Sequence, residues 1–432
     1  MPSRQGALTV VAEVKPELKT SLLVLLNAIV DADVEETDLF PFKALSTIHF
    51  ARWLVLDDRR GRWRGPLDHP PRPLLLILST NYDGSLKDHL SELVQIAGPG
   101  LGRVLGHCVG FPSQGMRTRD SVLKYLKQHS IKPATFYRGA PGRTVTQIKC
   151  EAELREKIEG FLDQNRDNLK DLDPLAVRGR IQEYVAAVFP DDKPPPPTRF
   201  KTLKKLLFVI RLLLGVLLHL PLLVLLRRHE RRDDQRREAG RVDRLTPAQI
   251  RSHNEWIADL ARREDHITQN QISNLVPVRP GWYRLVVLRA VLAAIDRLAP
   301  VVYDRGQLGG IPTIHFARWV IVGRGRWLLF MSNYDGSWEE YLGAFIDHAS
   351  HGLTAVWSNT VGFPRTKWLL WEGSRDERAF KDWVRGHQIA TQVWYSAYSD
   401  LTVRQINQNT AIHAGLYGNL TQQQARMWLR RL

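Results

Sequence analysis

The chain has 432 residues, of which 44% are apolar and 25% are charged. These are the values of a globular protein, and they exclude a disordered or collagen-like chain. Lysine and arginine exceed aspartate and glutamate by 61 to 45, and the resulting net charge of +16 favours an anionic partner, either nucleic acid or an acidic membrane surface.

The first half of the chain alternates between helical and strand-like hydrophobic periodicity. The N-terminal residues 1–19 are mostly polar and contain no pattern of a secretory signal. The predicted elements are a helix over Thr20–Val30, strands over Thr47–Leu56 and Leu74–Thr80, a helix from Ser85, a helix over Val122–Gln128, a strand over Ala134–Tyr137, and a short strand or helix start over Thr144–Ile148.

The middle of the chain has a different composition. Pro190–Pro197 is a proline-rich linker, and Arg199–Arg244 holds thirteen lysines and arginines against five acidic residues. Within this stretch, Leu206–Leu226 is a 21-residue apolar run interrupted mainly by Arg211, Gly215, His219 and Pro221. Thr246–Glu264 is predicted to be helical, and Gln269–Gly281 is polar and typical of turns.

The second half returns to the pattern of the first. Its predicted elements are a helix over Leu285–Leu298, strands from Thr313 and over Trp327–Met331, a helix from Ser337, a helix over Ala379–Gly386, a strand over Thr391–Tyr395, and a strand or helix start over Thr402–Ile406. Strands and helices in this order predict an α+β fold with helices on one sheet face.

Several segments of the first half recur in the second. Thr47–Trp53 is identical to Thr313–Trp319, and Asn81–Ser85 is identical to Asn333–Ser337. Gly-Phe-Pro also recurs, at residues 110–112 and 362–364. Each copy has the size of a domain, so we interpret the chain as a tandem duplication. The expected division is a first repeat over 1–190, a connector over 191–282 and a second repeat over 283–432.

The repeated polar residues are the candidate site. They are His49, Arg52, Asp83, His315, Arg318 and Asp335. Strand alternation would place His49, Ala51 and Trp53 on one face and Ile48, Phe50 and Arg52 on the other. We expect the six residues to converge on a pocket or on the strand contacts framing it. An imidazole is suited to proton transfer and a guanidinium to binding an anionic group. The alternative is structural: buried His and Arg side chains satisfied by carbonyl or carboxylate groups.

Metal and nucleophile motifs are absent from the sequence. No H-E-x-x-H, P-loop, G-x-G-x-x-G or G-x-S-x-G pattern occurs, and the two cysteines, Cys108 and Cys150, indicate reduced thiols rather than a disulfide scaffold. His348 is a weak candidate haem ligand, with a surface histidine near a helix end as the alternative.

The apolar run over 206–226 predicts membrane attachment. As a helix it would be about 30 Å long, the thickness of the bilayer core. Basic residues flank both sides, and Pro221 would kink it, so we expect a monotopic or re-entrant course rather than a span. The membrane-binding candidates are Leu206, Leu207, Phe208, Leu212, Leu213, Leu217, Leu222, Leu225, Arg227 and Arg228. The alternative is a buried core helix.

The repeated Ile-His-Phe-Ala-Arg-Trp strand, followed by a buried strand ending Asn-Tyr-Asp-Gly-Ser, resembles one half of a tandem ferredoxin-like pair. Such pairs form the dimeric α+β barrel of dye-decolorising peroxidases, chlorite dismutases and small cofactor-free monooxygenases. The resemblance implies two ferredoxin-like domains in one intramolecular pseudo-dimeric barrel. The Gly-x-x-Asp-Gly signature of dye-decolorising peroxidases is missing, since Thr80 and Ser332 stand at its first position.

Two functions follow as expectations. The first is a membrane-associated oxidoreductase, peroxidase-like or monooxygenase-like, that acts on a small lipophilic molecule, with haem as a candidate cofactor. The second is a non-catalytic membrane-associated binding or scaffold protein. Both place the protein at the cytoplasmic face of a membrane with an anionic surface as partner. Nucleic acid is not expected, because the basic charge lies beside an apolar run.

Overall fold

The structure is a computed structural model that describes residues 5–35, 37–57, 74–195, 227–232, 247–302 and 310–432. The fold is mixed α+β. The strands are β1 (Gln5–Glu13), β2 (Ile48–Leu56), β3 (Leu75–Asp83), β4 (Thr135–Arg138), β5 (Gln269–Pro277), β6 (Ile314–Val322), β7 (Trp327–Asp335), β8 (Thr366–Lys367), β9 (Trp371–Glu372) and β10 (Val393–Ser396).

The helices of the first half are α1 (Lys19–Asp31), α2 (Leu86–Leu105), α3 (Arg119–His129), α4 (Val145–Gln164), α5 (Arg166–Leu169) and α6 (Pro174–Val188). Those that follow are α7 (Pro247–Ala261), α8 (Trp282–Val302), α9 (Trp338–Trp357), α10 (Glu377–His387), α11 (Val403–Gly415) and α12 (Gln422–Leu429). Residues 227–232 are also helical.

Two four-stranded antiparallel sheets form the centre of the protein, and each contains one strand from the other half. The strand order is β1-β3-β2-β10 in the first sheet and β4-β6-β7-β5 in the second. In the first sheet Tyr395 of β10 pairs with Ala51, and in the second Tyr137 of β4 pairs with Ala317. Neither sheet is therefore complete without the other half of the chain.

The segments that lead into the exchanged strands also join the two sheets. Before β4 begins, the Ile131 amide donates to the Thr9 carbonyl of β1 at 2.8 Å. Before β10 begins, the Ile389 amide donates to the Ser273 carbonyl of β5 at 2.8 Å. The outer strands β1 and β5 thus each gain a local neighbour, which covers part of the edge that an open sheet would present.

Along each central strand, successive side chains face alternately the helices and the space between the two sheets. In β3, Leu76 and Leu78 pack with residues of α1, α2 and α3. Their neighbours on the other face are directed at the opposite sheet, where Ile77 meets Leu275 and Leu329. This two-sided burial explains why β2 and β3 contain no exposed residue and are largely continuous apolar runs in the sequence.

The helices predicted after Asn-Tyr-Asp-Gly-Ser are confirmed. Ser85 accepts from the Asp88 amide at the start of α2, and Ser337 forms a capping box with Glu340 at the start of α9. The segments from Thr144 and Thr402, for which the sequence allows a strand or a helix start, are helices α4 and α11, each capped by its threonine.

The prediction for Gln269–Gly281 was wrong, because its first nine residues form strand β5 and not turns. β5 lies inside the expected connector over 191–282, yet it pairs along its whole length with β7. Strand β1 near the N-terminus was not predicted either. In β5 polar side chains lie on both faces, such as Ser273 between the sheets and Asn274 against helix α10, which hides the apolar alternation that marks a strand. In β1 the alternation is present, with Leu8 and Val10 facing the helices.

The membrane segment predicted over 206–226 lies outside the described residues. Within the parts of the chain that the structure does describe, no helix is both long enough and apolar enough to cross a membrane.

Candidate functional site

The repeated arginines lie between the two sheets and reach across to the opposite half. Arg52 projects from β2 and is 2% exposed. Its Nη1 donates to the Ile272 carbonyl at 3.0 Å and to Ser273 Oγ at 2.8 Å, and its Nη2 donates to the Ser332 carbonyl at 2.9 Å. Additional acceptors are Gln271 Oε1 and Asn333 Oδ1.

Arg318 repeats this arrangement in the reverse direction. It is also 2% exposed, and it donates to the Leu8 carbonyl at 2.7 Å, Thr9 Oγ1 at 3.2 Å and the Thr80 carbonyl at 2.9 Å. These three acceptors occupy the places in β1 and β3 that Ile272, Ser273 and Ser332 occupy in β5 and β7. The two guanidinium groups therefore join the halves by equivalent hydrogen bonds.

Both guanidinium groups are cations held by neutral acceptors. Burial lowers the pKa of Arg52 to about 9, and the charge of Arg318 contributes to the lowering. Burial likewise lowers the pKa of Arg318 to about 9. Each pKa is above neutral pH, so both groups stay charged. Among the described residues, no carboxylate lies within ion-pair distance of either one.

The repeated histidines and aspartates form two buried pairs at one end of this layer. His49 Nε2 lies 3.1 Å from Asp83 Oδ1, and His315 Nε2 lies 2.6 Å from Asp335 Oδ1. The second oxygen of each carboxylate accepts the first amide of a helix at 2.8 Å, from Val145 for Asp83. The Val403 amide donates to the second carboxylate oxygen of Asp335 in the same way. Each aspartate thus connects the end of a strand to the start of a helix by a hydrogen bond.

The predicted faces of β2 are wrong at its first residues. The register between β2 and β3 shifts between Ile48 and Phe50, and the same shift occurs in β6 between Ile314 and Phe316. This bulge places His49 on the inner face with Phe50 and Arg52, while Ile48 packs with Ala51 and Trp53 against the helices. The inner face therefore holds both repeated polar residues of the strand.

Tyr398 breaks the symmetry of the two pairs. Its hydroxyl lies 2.8 Å from His49 Nδ1, and its ring is packed against Phe50. At the offset of 258 that relates the two halves here, the first half has Ala140. With the proton on Nε2, His49 accepts from Tyr398 and donates to Asp83, an arrangement that is able to relay a proton.

The ends of the space between the sheets are filled by apolar side chains. On the far side of the arginines lie aliphatic residues including Leu54, Val320 and Met331. Beside the histidines lie Phe50, Phe316 and residues of helices α4 and α11. His49 is 0% exposed and His315 is 3% exposed, so a substrate would reach them only after side chains move.

The structure places all six repeated residues in the layer between the sheets. The sequence analysis did not identify the side chains that accept hydrogen bonds from the two arginines. These are Thr9, Gln271 and Ser273, and they lie on the two strands that were not predicted. Tyr398 was not identified either, although a tyrosine present in only one copy of a repeat is a signal that a sequence carries.

The remaining candidates lie elsewhere. His348 is exposed on α9 and does not belong to the layer between the sheets. Across the described ranges, no group of three or more His, Cys, Asp or Glu side chains is placed to hold a metal ion. Of the membrane-binding candidates, the leucines and Phe208 fall outside the described residues. Arg227 pairs with Glu230 at 3.0 Å, and Arg228 is exposed.

Comparison of the chain with protein-family models, with curated proteins and with solved structures gave no match.

Proposed function

We propose that the protein is a non-catalytic, membrane-associated binding or scaffold protein whose two halves form an intramolecular pseudo-dimeric α+β barrel. It attaches to an anionic membrane surface on the cytoplasmic side through the apolar run over 206–226. The repeated polar residues join the halves of the barrel.

The observation that carries this proposal is that the repeated side chains are directed at the protein itself. Arg52 and Arg318 use backbone carbonyls and side chains of the opposite half as acceptors. His49 and His315 use the carboxylates of Asp83 and Asp335. An active site needs groups that face a substrate, whereas buried polar groups satisfied by one another serve folding specificity.

Two features support the duplicated barrel. The identical segments Thr47–Trp53 and Thr313–Trp319 form the equivalent strands β2 and β6, each with a bulge at its histidine. Each of these strands also pairs with a strand of the other half. A dimer of two identical domains that became one chain would retain this reciprocity.

Membrane association is supported by composition. About half of the net charge of the chain lies between Arg199 and Arg244, on both sides of the 21-residue apolar run. Basic residues near an anionic leaflet contribute about 1 kcal/mol each, and burial of several leucines adds firm apolar binding.

The experiment is fractionation of cells that express the full chain, with a variant lacking residues 206–226 as the matched control. The full chain is expected in the membrane fraction, where high salt does not release it and detergent does. The deletion variant is expected in the soluble fraction. Recovery of the full chain in the soluble fraction would contradict membrane attachment and favour a core helix.

A second candidate function is an oxidoreductase acting on a small lipophilic molecule. It is favoured by one observation, the hydrogen-bonded series Tyr398, His49 and Asp83, which is present in one half only. This function predicts that detergent-purified protein absorbs visible light through a bound haem or flavin. A spectrum with protein absorption alone, from protein purified without added chelators or denaturants, would count against a coloured cofactor.

A further inference from the structure

A small hairpin of the second half, β8 and β9, has no counterpart in the first. Gly-Phe-Pro occurs in both halves, but the distance from its proline to the aromatic residue of the next helix is six residues longer between Pro364 and Trp383 than between Pro112 and Tyr125. The extra residues form the hairpin, whereas the first half has a single turn of helix over Gln114–Met116.

The tip of this hairpin displays apolar side chains to solvent. Trp368 is 41% exposed, Leu370 43% and Trp371 48%. Trp368 and Leu369 have positive φ angles of 55° and 65°, a backbone conformation in which turns ordinarily use Gly, Asn or Asp. Large apolar residues at strained, exposed positions weaken folding, so their presence indicates a contact outside the folded chain.

The hairpin is held against residues 227–232, which follow directly after the apolar run. The Glu230 carboxylate accepts the Trp368 amide at 2.9 Å and the Leu369 amide at 2.7 Å. The Arg227 guanidinium lies 5.9 Å from the centre of the Trp368 ring. The point at which the chain leaves the apolar run is thereby fixed beside the exposed tryptophans.

A third exposed tryptophan lies next to a residue that contacts the same segment. The His229 ring stacks on Tyr283 at 4.7 Å, and the adjacent Trp282, at the start of α8, is 75% exposed. Residues 227–232 read Arg-Arg-His-Glu-Arg-Arg, so four cations accompany one buried carboxylate here. Tryptophan beside arginine is the composition of protein surfaces that lie at the headgroup level of a bilayer.

We propose that Trp282, Trp368, Leu370 and Trp371 form a second membrane contact, here called the tryptophan surface, which lies on an anionic bilayer next to the attachment segment. This inference rests on the proposed membrane association. The occupant is the bilayer rather than a second copy of the chain, because the surface lies beside Arg227, the residue that follows the apolar run in the sequence, and is bordered by arginines.

The test places an environment-sensitive fluorophore at the hairpin tip. The full chain with Cys150→Ser and Leu370→Cys is labelled with a nitrobenzoxadiazole dye, since the other cysteine, Cys108, is buried. The matched control carries Met116→Cys in the corresponding turn of the first half, where the side chain is 68% exposed. Each protein is mixed with vesicles of phosphatidylcholine and phosphatidylglycerol in equal parts, with and without brominated acyl chains.

The dye at position 370 is expected to shift to the blue and to be quenched by brominated lipid, while the dye at position 116 is unaffected. Trp368→Ala combined with Trp371→Ala should weaken vesicle binding by on the order of tenfold, because two aromatic contacts are lost, whereas Met116→Ala should leave it unchanged.

Three results would overturn the inference. Vesicle binding without quenching at position 370 would show that the tryptophan surface does not contact the bilayer, and it would leave the proposed function intact. A dye at position 370 that is shielded before vesicles are added would show that another part of the protein covers it. A full chain that binds no vesicles would overturn the proposed membrane association and this inference with it.

Discussion

At the scale of single residues, Arg52 and Arg318 bear most directly on how the halves are joined. Each buries a cation among neutral acceptors of the opposite half. Burial of an ion is costly and is offset only when several good hydrogen bonds form. The guanidinium is suited to this task because its five N–H donors are spread over a rigid planar fork, whereas an ammonium group has three donors on a single nitrogen.

Replacement of Arg318 by methionine keeps the aliphatic stem and removes the donors. The Leu8 and Thr80 carbonyls then lose their partners between the sheets. We expect a loss of about 3 kcal/mol in the free energy of unfolding, measured by guanidinium chloride denaturation. Arg318→Lys should lose stability as well. The control is Arg180→Met at an exposed position, which should change the free energy of unfolding by less than about 0.5 kcal/mol. An Arg318→Met variant as stable as that control would refute the structural role.

His89 makes the stability of the fold sensitive to acid. It stacks on Tyr82 at 3.9 Å, and burial lowers the pKa of its imidazole from 6.5 to about 3. Between pH 6.5 and a pH of about 3, the unfolded chain therefore binds more protons than the folded chain. Stability is complete above the unfolded pKa of 6.5 and falls as pH decreases below it, by up to about 1.4 kcal/mol per pH unit.

The second half has Tyr341 at the equivalent position, stacked on Tyr334 at 3.7 Å. We expect His89→Tyr to reduce the acid sensitivity. Between neutral pH and a pH of about 4.5, the variant should lose on the order of 2 kcal/mol less free energy of unfolding than the parent protein loses. Unfolding free energies of both proteins at the two pH values measure this difference. Parallel pH profiles would contradict the prediction.

At the scale of elements, the two aspartates connect strands, bulges and helices. Asp335 accepts from Val403 at the start of α11 and lies against His315 in the bulge of β6. An alanine at this position would remove both contacts and leave the buried histidine without its partner.

We expect Asp335→Ala to lower the free energy of unfolding by about 3 kcal/mol, and Asp335→Asn by about half as much, because the amide oxygen still accepts from Val403. Asp376→Ala removes only an exposed helix cap and should cost about 1 kcal/mol. Thermal and denaturant unfolding distinguish these values. Equal losses for Asp335→Ala and Asp376→Ala would mean that the contact with His315 contributes little.

The sequence is sufficient to predict elements whose signal is local. Helices α2 and α9 follow from capping serines and apolar spacing, and β2 and β6 from their β-branched and aromatic residues. β5 escapes prediction because Gln271 and Ser273 accept from an arginine far along the chain and Asn274 is polar on the other face. β1 carries a strand-like alternation that the prediction overlooked. The bulge at His49 has no local signal, since no proline or glycine marks it.

At the scale of the whole molecule, the exchange of β4 and β10 could not be predicted. Hydrophobic patterning indicates that a strand is buried but not which sheet accepts it. The repeated Arg and His residues could be identified by their recurrence alone, and their convergence was expected. Their partners in the opposite half depend on tertiary contacts, because Arg52 and Ser332 are separated by 280 positions in the sequence.

The exchanged strands make the two halves one folding unit. Besides the sheets, α6 of the first half reaches the second, where Arg178 donates to the Gly415 carbonyl at 2.8 Å. Neither half has a complete sheet of its own, and a single half would expose the inner strand faces that the other half covers.

The most direct measurement is cleavage of the connector in the assembled protein. A protease site is placed between residues 233 and 246, outside the described residues, and the detergent-purified chain is cleaved there and passed over a size-exclusion column. The two fragments are expected to elute together at the position of the intact protein and to separate only in denaturant. Separation of the fragments in detergent alone would contradict the proposed barrel.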